Sequence, residues 1–365
     1  MKKLAPIVIV VLLLIGAYAF LAPKNDSPQT NSSTSAEGSE ESSQTTNSST
    51  QSLSRTTVTL PNNAAPGGDS NSGGEESEEQ IKPAAEAYTS AEEALAAVLK
   101  GSKDYDDSIL EQFTLPDPNC SWCAEFYASA RDLTTNPNTP QEQRAYLAEI
   151  LAISGRLENI EALAESIKNA PSNEAADLYA EALELTLGKE DVTTFLGDQM
   201  NSTNDNLREA SVAAVTNQGT KQAAELLIKN LKERGDPDGY YSIGIGLGEF
   251  IPDEEALPVV QDLVRERGPE AGLGVKSLLN AGMPGVRALF DELEHSSNVE
   301  GDKALLKGAG DHINIEDDIL ELANQKIAEN RNANTVELAR MIKELAQTAE
   351  QPTDGDQEEL QSLAQ

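Results

Sequence analysis

The sequence predicts an all-α fold: a right-handed α-solenoid of about six helix pairs, preceded by an N-terminal transmembrane helix and a disordered linker. Apolar residues recur at spacings of three and four almost throughout residues 87–349, which is the helical period. Turn-like breaks return about every 30 to 35 residues, a period typical of stacked helix pairs. An apolar run and a long polar stretch precede this region.

The chain begins with Lys2 and Lys3, followed by an uncharged apolar run over residues 4–22. About 20 such residues form a helix long enough to cross a bilayer core of about 30 Å, and the basic flank favours the cytoplasmic side. We predict that residues 1–22 anchor the chain in a bacterial inner membrane, with the remainder in the periplasm. Ala17-Tyr18-Ala19 also fits a cleavage site. A cleaved signal peptide and a soluble periplasmic or secreted protein are therefore the alternative.

Residues 23–86 are rich in Ser, Thr, Asn, Gly and Glu and contain few apolar residues. Such a composition cannot bury enough apolar surface to offset the entropy of ordering, so it predicts a disordered linker. A flexible linker of this length has an average reach on the order of 45 Å. The folded region is thus expected to be tethered to the membrane at a distance.

The net charge of the chain is −35, from 62 acidic and 27 basic residues. A chain this acidic repels nucleic acids, which excludes them as expected partners. It attracts basic surfaces, so the charge favours a protein or peptide partner with a basic patch.

The folded region divides into an N-terminal helical segment, residues 87–138, and a repeat region, residues 139–349, followed by an acidic tail, residues 350–365. Each unit of the repeat region contains two helices and two turns. One such pair cannot bury its apolar face alone, so neighbouring pairs must complete the core. The predicted units begin near Thr139, Pro171, Asn201, Asp236, Gly268 and Asn298.

The third unit, NDNLREASVAAVTNQGTKQAAELLIKNLKER, resembles a HEAT-like repeat over residues 204–234. Asn204 and Asp205 suit a helix cap, and Gln218-Gly219 suits the turn. The residues expected to line its two helices are Leu207, Ala210, Ala213, Ala214, Val215, Ala223, Ala224, Leu226, Leu227 and Leu231. Residues 139–168 and 171–200 resemble tetratricopeptide-like repeats almost as well. Either resemblance implies a binding or scaffolding surface without catalytic residues, which we place on an inner face formed by the second helices.

Cys120 and Cys123 are the two cysteines of the chain, and Trp122 lies between them. Ala124 follows the second cysteine where a c-type haem site has histidine, and two cysteines do not complete a structural zinc site. In an oxidising compartment the pair should form a disulfide. Residues 117–119 suit a helix start, which would place both cysteines in the first turn, where a thiolate is stabilised. A redox-active pair is the alternative, although no strand pattern precedes it.

The stretch GYYSIGIGLGEF, residues 239–250, alternates glycines without the strand, lysine and hydroxyl of a phosphate-binding loop. Gly244 and Gly248 are expected on one helix face, where they allow close packing or leave a groove. His295 and His312 lack zinc-type spacing. We therefore predict a protein without catalytic residues, cofactor or metal. A thiol–disulfide oxidoreductase is the enzymatic alternative.

Overall fold

The computed structural model describes residues 81–115, 119–235, 241–294, 296–309, 317–329 and 333–349. These residues belong to one compact unit, and across them every regular element is an α-helix, with no strand. The predicted anchor, the acidic tail and nearly all of the predicted linker lie outside the described residues. Among the helices that are described, none has both the length and the apolar character to cross a membrane.

The described residues contain 17 helices. In chain order they are α1 Ala84–Ala87, α2 Ala91–Gly101, α3 Asp107–Thr114, α4 Cys123–Thr135, α5 Gln141–Ile153, α6 Leu157–Lys168, α7 Asn173–Leu183, α8 Glu190–Gln199, α9 Asp205–Asn217, α10 Lys221–Arg234, α11 Ile243–Glu249, α12 Leu257–Glu266, α13 Ala271–Asn280, α14 Gly282–Leu293, α15 Val299–Gly308, α16 Asp317–Glu329 and α17 Ala333–Ala349. Helix α1 covers the last residues of the predicted linker, so helical structure begins earlier than expected.

The helices form two layers. Each odd-numbered helix contacts the next odd-numbered helix, and each even-numbered helix contacts the next even-numbered one. We call these the first layer and the second layer. Helices further apart along the chain make few contacts, as expected for stacked helix pairs. Helices α3 and α4 contact α5 and α6, so the predicted N-terminal segment continues the same stack.

The third predicted unit is confirmed in detail. The Asn204 side chain caps α9 by accepting a hydrogen bond from the Leu207 amide at 2.9 Å. The turn contains Gly219 with φ +65°, a left-handed conformation that glycine adopts without a steric cost. All of the residues expected to line the two helices are buried except Leu226, which is half-buried.

Hydrogen bonds between units repeat at the spacing of the units themselves. The Asn217 amide donates to the Glu184 carbonyl (3.1 Å) across 33 residues, and the Asn280 amide donates to the Gly248 carbonyl (3.0 Å) across 32. Both asparagines end a first-layer helix and reach the end of the preceding one. Buried or half-buried carbonyls are thereby satisfied, and neighbouring units are held in register.

The two layers do not pack equally closely. We compare neighbouring helix pairs, from α3/α4 against α5/α6 to α13/α14 against α15/α16. In each comparison the two first-layer helices contact each other over a larger area of backbone than the two second-layer helices do. First-layer helices such as α9, α11 and α13 are rich in alanine, glycine and serine, and small side chains shorten the distance between helix axes. Neighbouring units therefore pack more closely in the first layer than in the second. The inner face of second helices stays a prediction.

The glycines of α11 have different roles. A Cβ atom on Gly246 would lie 2.5 Å from Thr216 Oγ1 and 2.9 Å from Val212 Cγ1, so Gly246 lets α11 approach α9. A Cβ atom on Gly248 would make only ordinary contacts, the nearest at 3.6 Å from Lys276 Cδ. Close packing is thus found at Gly246, which is two residues from both Gly244 and Gly248 and so lies on the other side of the helix.

Candidate functional site

Cys120 and Cys123 form a disulfide at the entry to α4. The helix begins at Cys123 with Trp122 in the N-cap position, so only the second cysteine is helical. The prediction that both cysteines occupy the first helical turn is therefore wrong. The helix starts later because the chain first turns at residues 119–122 and buries the indole of Trp122, which is 9% exposed. Cys123 is buried and Cys120 is half-buried.

The disulfide borders an aromatic cluster at the N-terminal end of the stack. The Trp122 ring meets Phe126 edge-on at 6.0 Å and Tyr88 at 6.4 Å, and Phe113 stacks on Phe126 at 4.9 Å. Such ring pairs add about 1 kcal/mol each beyond the area they bury. The cluster joins α3, α4 and the chain between α1 and α2. It closes the apolar core where no further helix pair covers it among the described residues.

The loop between α2 and α3 covers the outer side of α5. The Tyr146 hydroxyl donates to the Asp106 carbonyl at 2.6 Å, and the Tyr105 hydroxyl donates to the Glu149 carboxylate. Burial, followed by the negative charge of Asp106, raises the pKa of Tyr146 above its ordinary value. Tyr105 has φ +50°, an uncommon conformation that these contacts hold in place. The loop therefore covers the side of α5 that carries Tyr146 and Glu149.

Exposed apolar side chains lie in or just after the first-layer helices α7 and α11. The described residues include four exposed large apolar residues, and three of them are Leu185 (41% exposed), Ile245 (42%) and Ile251 (55%). Leu185 follows α7, Ile245 lies within α11 and Ile251 follows α11. Grouping of exposed apolar side chains is typical of interaction surfaces.

Ile245 and Glu249 are spaced by four residues and lie on one face of α11, and Tyr241 precedes the N-cap residue of that helix. The Tyr241 hydroxyl donates to Glu249 Oε2 at 2.7 Å. Burial, and then the negative charges of Glu249 and of Glu184 at the end of α7, raise the pKa of Tyr241.

Exposed acidic side chains of α7 add negative charge next to Leu185. Glu174, Asp177 and Glu181 are exposed at spacings of three and four, so they lie along one side of the helix. Burial, and then the neighbouring carboxylates of Glu181 and Glu174, raise the pKa of Asp177. Neither α7 nor α11 contains a lysine or arginine. We define the first-layer patch as Glu181, Leu185, Tyr241, Ile245, Glu249 and Ile251.

The described residues contain no group of three or more His, Cys, Asp or Glu side chains arranged to hold a metal ion. His295 and His312 lie outside the described residues. The structure thus brings the two predicted cysteines together, and it adds a patch that the sequence analysis missed. The missed signal was the four-residue spacing of Ile245 and Glu249, which is meaningful only once the helix bounds are known.

Comparison of the sequence with protein-family models and with curated proteins finds no match. The function is therefore argued from the residues and their arrangement.

We expect the double substitution Cys120→Ser/Cys123→Ser to leave the fold intact. The disulfide closes a very short loop, so its loss should destabilise the protein by about 2 kcal/mol or less, while the aromatic cluster keeps α4 in place. Far-UV circular dichroism should show unchanged helicity, and thermal unfolding a small decrease in Tm. Ser121→Ala, at the exposed position between the cysteines, is the control.

The same pair should have a reduction potential below about −230 mV, more reducing than glutaredoxins and protein disulfide isomerases, and no turnover of a disulfide substrate. A higher potential together with turnover would favour the thiol–disulfide oxidoreductase.

Proposed function

We propose that this protein is a non-enzymatic α-solenoid of HEAT-like or tetratricopeptide-like type, tethered to a bacterial inner membrane, that binds a protein or peptide in the periplasm. The observation that carries the proposal is the continuous two-layer stack, whose first layer bears exposed apolar and acidic side chains at α7 and α11. Stacked repeats expose such a face continuously, and binding is the function that this surface supports best.

The disulfide has a supporting role in this proposal. Cys120 and Cys123 hold the chain where Trp122 enters the aromatic cluster, at the end of the stack nearest the linker. Terminal repeats need such closure because no neighbour covers their apolar side.

Membrane placement rests on the sequence. The apolar run over residues 4–22 anchors the chain, and the linker lets the folded region explore a distance on the order of 45 Å. A tethered module meets membrane-associated partners at a raised effective concentration, so a weak binding face is sufficient. Cleavage after Ala19 would instead release a soluble periplasmic or secreted solenoid.

The acidic charge specifies the partner further. A surface with a basic patch is attracted to the chain, and added salt should weaken the contact by screening it. Nucleic acids are repelled by the same charge.

We expect partner binding to depend on the tether. The test is a pull-down of the tagged full chain after crosslinking in whole envelopes. We expect fewer crosslinked protein complexes as residues 23–80 are shortened in steps, and the fewest when residues 1–22 are removed. The reason is that both changes lower the effective concentration near membrane-bound partners. A linker of equal length but of Gly/Ser composition is the control and should preserve recovery. If the recovery of complexes changes neither with tether length nor on removal of residues 1–22, the exported soluble protein replaces this proposal.

A further inference from the structure

We propose that the first-layer patch docks a cationic amphipathic segment of the partner protein. This inference rests on the proposed function, because it specifies which face binds and what chemistry the partner presents. The patch supplies apolar side chains at its centre and carboxylates around them, and the segment must match both.

The apolar part of the patch selects an amphipathic partner. Ile245 and Ile251 expose about half of their surface, and Leu185 extends the apolar area from α7. Gly248 does not add to this surface, because it is buried and a Cβ atom there would contact Lys276 and Leu273 of α13. The exposed apolar side chains themselves therefore select the apolar side of the partner segment.

The charged part selects a cation. Glu181 and Glu249 flank the apolar residues, Glu174 and Asp177 continue the acidic row, and α7 and α11 carry no basic residue. Glu249 is already oriented by the hydrogen bond from Tyr241. An oriented carboxylate loses less entropy on pairing with a lysine or arginine, which favours binding.

The frame beneath the patch is rigid. The Asn217 amide ties the end of α9 to the Glu184 carbonyl at the end of α7, and the Asp253 amide donates to the Gly219 carbonyl at 2.8 Å. Three consecutive units therefore hold the patch residues in fixed relative positions, as a preformed binding surface requires. A second copy of this chain is a poorer occupant than a basic segment, because two acidic faces repel each other.

The test uses the full chain in detergent micelles and three fluorescent peptides: a helical Leu/Lys amphipath, the same peptide with Glu in place of Lys, and a scrambled Leu/Lys peptide. The first should bind, and the other two should bind at least about tenfold more weakly. Ile245→Ser/Ile251→Ser should weaken binding about tenfold or more, and Glu181→Gln/Glu249→Gln should weaken it and reduce its salt dependence. Glu161→Gln, on the exposed side of α6, is the matched control and should change nothing.

Equal binding of the cationic and acidic peptides, or binding indifferent to Ile245→Ser/Ile251→Ser, overturns the proposal. Sedimentation that shows a dimer lost in Ile245→Ser/Ile251→Ser also overturns it, because a second copy would then occupy the patch.

A photo-crosslinking residue in place of Ile251 or of Glu161, in the full chain within cells, separates this inference from the proposed function. Crosslinks to another protein from position 251, together with selective binding of the cationic peptide, are the expected result. Crosslinks from position 161 but not from 251 would leave the proposed function standing and overturn the patch. Absence of crosslinks from both positions would count against both.

Discussion

Replacement of Gly285 with alanine is expected to destabilise the folded region by about 3 kcal/mol or more. Gly285 lies in α14 where that helix crosses α13, and a Cβ atom there would lie 1.9 Å from the Leu278 carbonyl oxygen and 2.8 Å from Ala281 Cβ. The contact is with backbone, so no side chain can rotate away and the two helices must separate. Urea and thermal unfolding, followed by far-UV circular dichroism, should show a clear decrease in both midpoints.

The matched control is Gly308→Ala in α15. A Cβ atom at Gly308 has nothing within 4 Å. Alanine favours a helix over glycine by about 1 kcal/mol, so this substitution should be neutral or slightly stabilising. The two variants make the same chemical change, but the expected changes in the free energy of unfolding have opposite signs. Equal shifts in both would contradict the close approach of α13 and α14.

The substitution Arg267→Met is the second change expected to be strongly destabilising. Arg267 ends α12 and pairs with Asp302 in α15, whose side chain is completely buried. Removal of the guanidinium leaves a buried carboxylate without its opposite charge, which costs about 3 kcal/mol or more. Thermal unfolding should report the loss, and hydrogen exchange should show it first in α15.

Two further variants test the cause. Arg267→Met/Asp302→Leu removes the buried charge as well, so it should recover more than half of the lost stability. Lys221→Met breaks an exposed pair with Glu225 at 3.9 Å and should change stability by no more than about 0.5 kcal/mol. If Arg267→Met matched Lys221→Met in its small effect, the Arg267–Asp302 pair would not hold the units together.

Much of the helical architecture was predictable because its signals are local. The cap at Asn204 and the turn at Gly219 each depend on a few consecutive residues, and the structure contains both. Helical periodicity likewise identified the buried side of α9 and α10. These features depend on neighbours within one or two helical turns, which the sequence displays directly.

The role of each glycine depends on packing between units, which the sequence does not display. Gly246 brings α11 against Thr216 and Val212 of the preceding unit. A glycine-rich helix has the same sequence pattern whether its glycines face a neighbouring helix or an open surface. Only the contacts distinguish Gly246, which is packed, from Gly308, which is open.

By itself the sequence determined the helices, their pairing into units of about 32 residues and the proximity of Cys120 to Cys123, because each follows from short-range spacing. The tertiary structure alone decided which layer packs more closely, how Trp122 fills the aromatic cluster, and that Ile245 and Ile251 are exposed. The physical reason is that burial and helix approach arise between residues one unit or more apart. Close packing makes such contacts depend on shape, which a pattern of apolar and polar residues does not encode.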